Sequence, residues 1–214
     1  MGFVSGFNPV AIDLNNASQQ CGSFDSTTRG WISESLDWTV AMQFESDKSS
    51  SGNQALLGVT NGTNDRIAIV QEGTSLRCRN YDAGTTKAKS GTIPSINAVN
   101  ELYFTNDAAG DAIKAWLNGT ELTGSSTTAV NSTTGGFIGS ASNGADNGSQ
   151  LTFEGRIWNL RIWKQKITSI SDLDGINPDG KYSFIESTPT TSNNERGSGG
   201  ITWQNSPSFV PIPS

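Results

Sequence analysis

Trp38-Thr39-Val40-Ala41-Met42-Gln43-Phe44 is the stretch that decides the fold. Its large apolar residues, Trp38, Val40, Met42 and Phe44, recur every second position. That period puts them on one face of an extended chain and leaves Thr39, Ala41 and Gln43 on the other, the pattern of a half-buried strand. Shorter runs of the same kind lie on both sides. Ile67 and Ile69 alternate after Asn61-Gly62 and the polar Thr63-Asn64-Asp65, and Leu76 and Cys78 point to one side of Ser75–Arg79. Leu102–Thr105 and Ile113–Leu117 flank a polar turn, and Asn118-Gly119 follows at once. This dipeptide accepts the positive φ angles of a type I′ turn and marks a tight hairpin. Phe137-Ile138-Gly139, the run from Phe153 to Trp163 and Ile201-Thr202-Trp203 complete the strand signals. One segment alone reads as helical. A short helix is expected near 168–174, capped by Thr168 or Ser169 and stopped by Gly175 and Pro178. The sequence predicts an all-β antiparallel sandwich.

Composition agrees with this. The 214 residues are 34% hydrophobic and only 16% charged, so the chain lacks the high charge of disordered sequences. Six Trp and nine Phe supply large apolar area instead. We read residues 1–19 as an N-terminal arm, 20–205 as one sandwich domain and 206–214, with three prolines, as a C-terminal tail. The net charge of −6 and the lack of a Lys/Arg cluster argue against nucleic acid and anionic membranes as partners. Met1–Ser18 has neither the basic start nor the apolar core of a secretion signal. No run reaches the ~20 apolar residues of a membrane-spanning helix. Cys21 and Cys78 read first as buried free thiols, with a single bridge between them as the alternative.

The order of these elements resembles the concanavalin A-like superfamily, in particular its laminin-G-like and pentraxin-like jelly rolls. Phe24-Asp25-Ser26 and Trp38–Phe44 are similar to that family's early elements, and Ala115-Trp116-Leu117-Asn118-Gly119 to its hairpin. Ile138-Gly139, Phe153-Glu154-Gly155-Arg156-Ile157, Leu160-Arg161-Ile162-Trp163 and Ile167-Thr168 follow in the family's order. The resemblance covers roughly residues 20 to 175 and implies a jelly-roll sandwich, with Gly155 at a kink or bulge. It does not decide function, because this fold carries lectins, hydrolases, adhesion modules and virion proteins.

Residue chemistry narrows the choice. Histidine is absent, which removes Ser-His-Asp and Cys-His catalysis and every His-containing zinc site. The glucanases of this fold carry Glu-x-Asp-x-(x)-Glu on one strand, and that spacing does not occur. Only a pair from distant strands, such as Glu154 with Glu45, is left for glycoside hydrolysis. No cofactor is expected. Calcium stays open, but acids of the pentraxin-like calcium loop are replaced here by Ala141 and Asn143. Asp146, with Asn143 and Asn147, adds one carboxylate where calcium favours several. Asp172, Asp174 and Asp179 read as turn and cap residues. The sequons at Asn16, Asn61, Asn118, Asn131 and Asn147 read as turn chemistry rather than glycosylation sites.

Sugar recognition is the chemistry that the loops supply. An aromatic face packs against a pyranose ring while amides and carboxylates bond its hydroxyls. The candidate glycan-binding residues are Trp31, Asn61, Asn64, Asp65, Arg66, Tyr81, Asp82, Asn143, Asp146 and Asn147. Trp38, Trp116 and Trp163 read as core. The leading expectation is a non-catalytic virion-surface protein, a bacteriophage capsid decoration or fibre-type protein. Its terminal arms would dock on other virion proteins and its sandwich would meet cell-surface polysaccharide. The alternative is an extracellular carbohydrate-binding module of a secreted bacterial protein, and a glycoside hydrolase ranks third. Self-association is left open.

Overall fold

The computed structural model describes residues 10–33, 35–47, 53–60, 66–82, 85–93, 97–110, 112–124, 135–140, 151–182, 184, 191–196 and 198–212. The strands are β1 Val10–Leu14, β2 Cys21–Phe24, β3 Trp38–Ser46, β4 Asn53–Thr60, β5 Arg66–Glu72 and β6 Ser75–Asp82. They continue as β7 Thr85–Thr92, β8 Asn100–Asp107, β9 Ala112–Leu117, β10 Thr120–Glu121, β11 Thr123–Gly124 and β12 Gly135–Ile138. The last six are β13 Leu151–Thr152, β14 Gly155–Trp163, β15 Gly180–Tyr182, β16 Thr191–Asn193, β17 Gly200–Gln204 and β18 Ser208–Pro211. A five-residue helix, α1 Ser26–Gly30, and short 3-10 turns at Asn16–Ser18 and Ile170–Leu173 complete the set.

Two sheets face each other. The first has the order β10-β9-β8-β3-β14-β1-β18, with β15 also on β14. The second has the order β11-β7-β6-β5-β4-β12-β2-β17-β16, with β13 added to β4. The pairings are antiparallel except the two-residue contact of β13 with β4, which is parallel. This is the two-sheet antiparallel sandwich that the resemblance implied.

The alternation in β3 explains how the sheets meet. Val40, Met42 and Phe44 are buried between them, and Trp38 packs edge-on against Phe104 at 5.1 Å. The intervening Ala41 faces outward, but not to water. Together with Tyr103, Trp116 and Trp163 it lies under Ile167 and Leu173, from the segment after β14. The 3-10 turn in this covering segment is anchored by Asp172. Its carboxylate accepts the backbone N–H groups of Thr168 at 2.6 Å and Ser169 at 3.1 Å, together with both hydroxyls. These bonds hold the Asp172 carboxyl down at about 2.

Four features depart from the sequence reading or refine it. Part of each terminal arm is strand: β1 lies between β14 and β18, because Ile12 and Leu14 alternate into the core and Phe209 and Val210 pack against it. A second helical segment, α1, exists, begun by Asp25, whose carboxylate accepts the Thr28 N–H at 2.8 Å. The irregularity in β14 falls between Trp158 and Arg161, where Asn159 has φ +52°, and not at Gly155. Gly155 has another duty. At φ +137° its missing side chain would fall on the Glu45 carbonyl, so glycine lets β14 close onto β3. Cys21 and Cys78 are both buried and free. Four strand steps separate β2 from β6, about 19 Å at strand spacing, well beyond disulfide reach.

Candidate functional site

The site is built around Trp31, at the C-terminal end of α1. The helix is too short to hold itself, and tertiary contacts fix it. Thr28 Oγ1 and the Tyr182 hydroxyl share a buried hydrogen bond of 2.6 Å that ties α1 to β15. Two glycines allow the close approach: a side chain at Gly180 would come within 2.7 Å of Trp31 Cζ3, and one at Gly199 within 2.7 Å of Thr28 Oγ1. The indole is therefore half-buried, its inner edge against backbone.

Lys164 covers another part of the ring. Its Nζ lies 4.8 Å from the indole centre, close enough for cation–π attraction, and 4.0 Å from Asp179 Oδ1. Asp179 Oδ2 accepts the Lys164 backbone N–H at 2.8 Å, so the pair is held from both ends.

Across from Trp31 runs the loop into β3. Trp38 Nε1 donates to the Ser33 carbonyl at 2.8 Å and Asn106 Nδ2 to the Leu36 carbonyl at 2.9 Å. Asp37 Oδ1 accepts the Ala108 N–H at 2.9 Å. Between these walls opens a cleft of about 390 Å³, lined by Trp31, Leu36, Asp37, Ala108, Ala109 and Lys164 among others. Leu36 is one of the few large apolar side chains on the surface, at 46% exposure. Beside the cleft, Lys166 bonds Asp107 at 2.7 Å, which lowers the carboxyl's pKa and raises that of the ammonium. Apolar walls with one carboxylate and one ammonium suit a polyhydroxylated ring, which carries C–H faces and hydroxyl edges together.

The strands place the other predicted residues relative to this cleft. Arg66 and Tyr81 pair across β5 and β6, and Asp82 pairs with Thr85. Asn61, Asn64 and Asp65 lie outside the described residues. Thr60 and Arg66, which flank them, sit at the end of the second sheet where β12 begins, since Gly135 pairs with Thr60. Helix α1 lies at this end too: a side chain on Gly136 would meet Phe24 at 3.0 Å and Arg29 at 3.2 Å. Asn143, Asp146 and Asn147 also lie outside the described residues. The segment that holds them is flanked by Ser140 and by Leu151, which pairs with Gln54 near the opposite end of β4. Topology thus gathers the Trp31 and Tyr81–Asp82 segments with Thr60 and Arg66, and separates them from Ser140 and Leu151. Leu36, Asp37 and Lys164 carry no motif in the sequence; the apolar Leu36 between polar neighbours was the one available signal.

That opposite end has a more polar cleft of about 330 Å³, lined by Asp13, Asp47 and Glu154 with Asn15, Ser18 and Gln20 among others. Burial raises the Asp13 carboxyl, with Arg156 opposing and Asp47 adding to the rise. Among the described residues no group of three or more His, Cys, Asp or Glu is placed to hold a metal ion. The Glu45 carboxylate, weighed with Glu154 for hydrolysis, has Arg156 Nη1 3.6 Å away. Elsewhere, Asn118 has both ends of its amide engaged: its Oδ1 accepts the Glu101 N–H at 2.8 Å and its Nδ2 donates to Asn100 Oδ1 at 3.0 Å. With Asn118 at φ +51° and Gly119 at +80°, this sequon is a working turn.

Known structures share this architecture. A Bacteroides ovatus protein described as carbohydrate binding superposes with a TM-score of 0.67 at 17% identity, over 97% of this chain and 61% of that one. This chain therefore spans less than two thirds of that relative. The CBM40 domain of the Ruminococcus gnavus IT-sialidase, solved with α2,3-sialyllactose, matches with a TM-score of 0.55 at 12% identity, over 74% of this chain and 91% of that domain. A pentraxin from Limulus polyphemus gives 0.53 at 12% identity, over 77% and 80%. No protein-family model and no curated protein matches the sequence. At these identities the likeness establishes the concanavalin A-like fold. Two of these neighbours are thus a protein described as carbohydrate binding and a CBM40 domain.

Proposed function

We propose that this domain is a non-catalytic carbohydrate-binding module that acts outside the cell and holds its glycan in the Trp31 cleft. The observation that carries the reading is the cleft itself, where Trp31 and Leu36 form an apolar wall beside Asp37 and Lys164. Such a site suits binding rather than bond cleavage. Hydrolysis needs a second carboxyl facing Asp37 across a scissile bond, and Asp37 is the only acidic residue lining the cleft among the described residues. The carbohydrate-binding neighbours support the assignment.

A glycan array probed with the wild type and with Trp31→Ala tests it. Binding to a defined set of glycans that is lost in Trp31→Ala supports the reading. Binding that survives the substitution moves the site elsewhere, and hydrolysis of any bound glycan contradicts the non-catalytic assignment.

A further inference from the structure

We infer that the Trp31 cleft selects uncharged glycans and rejects acidic ones, with Asp37 as the discriminating residue. This rests on the carbohydrate-binding reading and goes one step further, to ligand class. Recognition of a sugar carboxylate calls for an uncommitted cation, best an arginine that can bond both oxygens. No arginine lines the cleft among the described residues, and its one cation is Lys164. That ammonium already lies 4.0 Å from Asp179 and 4.8 Å from the Trp31 ring centre. The second nearby ammonium, Lys166, is bonded to Asp107 at 2.7 Å. Among the described residues, Asp37, Asp107 and Asp179 thus face two ammoniums, so their charge at the mouth sums to −1 in a chain of net −6.

Asp37 cannot easily turn away, because its Oδ1 is fixed by the Ala108 N–H at 2.9 Å. A neutral pyranose meets no conflict. Its hydroxyls donate to Asp37, while its C–H face covers Trp31 and Leu36. A carboxylated sugar meets a fixed like charge, and unfavourable juxtaposition of this kind sets specificity more than affinity.

The test uses the full chain and an array that carries neutral oligosaccharides beside their sialylated and uronic-acid counterparts. Neutral members should bind at least about ten-fold more tightly than their acidic partners. Asp37→Asn keeps the acceptor for Ala108 and removes the charge, so it should narrow the ratio of neutral to acidic binding, whatever it does to the affinity for either alone. Raising salt from about 0.01 M to about 1 M should narrow it as well, since screening shortens from about 30 Å to about 3 Å. Preference for acidic glycans, or a ratio indifferent to both Asp37→Asn and salt, overturns the inference. If Trp31→Ala still abolishes such binding, the module reading stands and only the ligand class fails. Binding to no glycan at all overturns both.

Discussion

The hydrogen bond between Thr28 and Tyr182 should govern both the stability of the Trp31 end and its affinity for sugar. Both residues are fully buried, and their hydroxyls meet at 2.6 Å. Tyr182→Phe removes one hydroxyl with little change of shape and leaves the other buried without its partner. That costs about 1 to 3 kcal/mol. A domain of this size loses about 2 to 4 °C of melting temperature per kcal/mol, so the midpoint should fall by roughly 2 to 12 °C. Thr28→Val should act alike. The double variant should cost less than the sum of the two, because no lone hydroxyl is left behind. Thermal unfolding followed by circular dichroism measures all four proteins of the cycle, and titration with an array-selected glycan follows the site. Both single variants should bind more weakly, since α1 carries Trp31. Costs that simply add in the double variant would refute the reasoning.

Other outcomes follow from the same structure. Burial raises the Tyr182 hydroxyl from 10.0 to about 12 and the Cys21 thiol from 9.0 to about 11, and it pushes the Cys78 thiol up too. The unfolded chain therefore gives up these protons first. The stability that Tyr182 and Cys21 confer is complete below pH 9 and is lost as pH rises through about 11 to 12; denaturant titrations across that range should show the fall, shallower in Tyr182→Phe. Asp172 works in the other direction: its stabilisation is present above its ordinary 3.8 and disappears as pH falls through about 2, a dependence that Asp172→Asn should weaken. Gly180→Ala should push against Trp31 Cζ3, 2.7 Å from the new methyl, and weaken glycan binding more than it lowers the melting temperature. Native protein should resist a thiol reagent at both cysteines, and denatured protein should react at two sites per chain.

The central strands were legible because one principle sufficed for each. Period-two alternation exposed β3, β5, β6, β8 and β9, and Asn118-Gly119 announced its hairpin. Strands escaped the reading where that signal is distorted or missing. In β4 the adjacent Leu56 and Leu57 are both buried across a register shift between Ala55 and Leu57, so the alternation breaks. β7, TTKAKSGT, carries no large apolar residue, and β18, only four residues long, follows Pro207 and ends on Pro211. α1 is too short for helical periodicity, and its stability comes from Tyr182, 154 positions away. The cleft shares that fate. Trp31 stood out as an aromatic among polar residues, but Leu36, Asp37, Ala108 and Lys164 come from three separate segments that only the sandwich brings together.

The most direct test of the glycan site is the indole N–H region of a ¹H–¹⁵N spectrum, recorded as a neutral array-selected oligosaccharide is titrated in. The chain has six tryptophans, and Trp116, Trp158 and Trp203 are buried and do not line the cleft. A saturable shift of the Trp31 signal is expected while those three stay in place. A saturable titration that leaves Trp31 unmoved and shifts backbone signals around Arg77 and Arg79, on the second sheet, would contradict it.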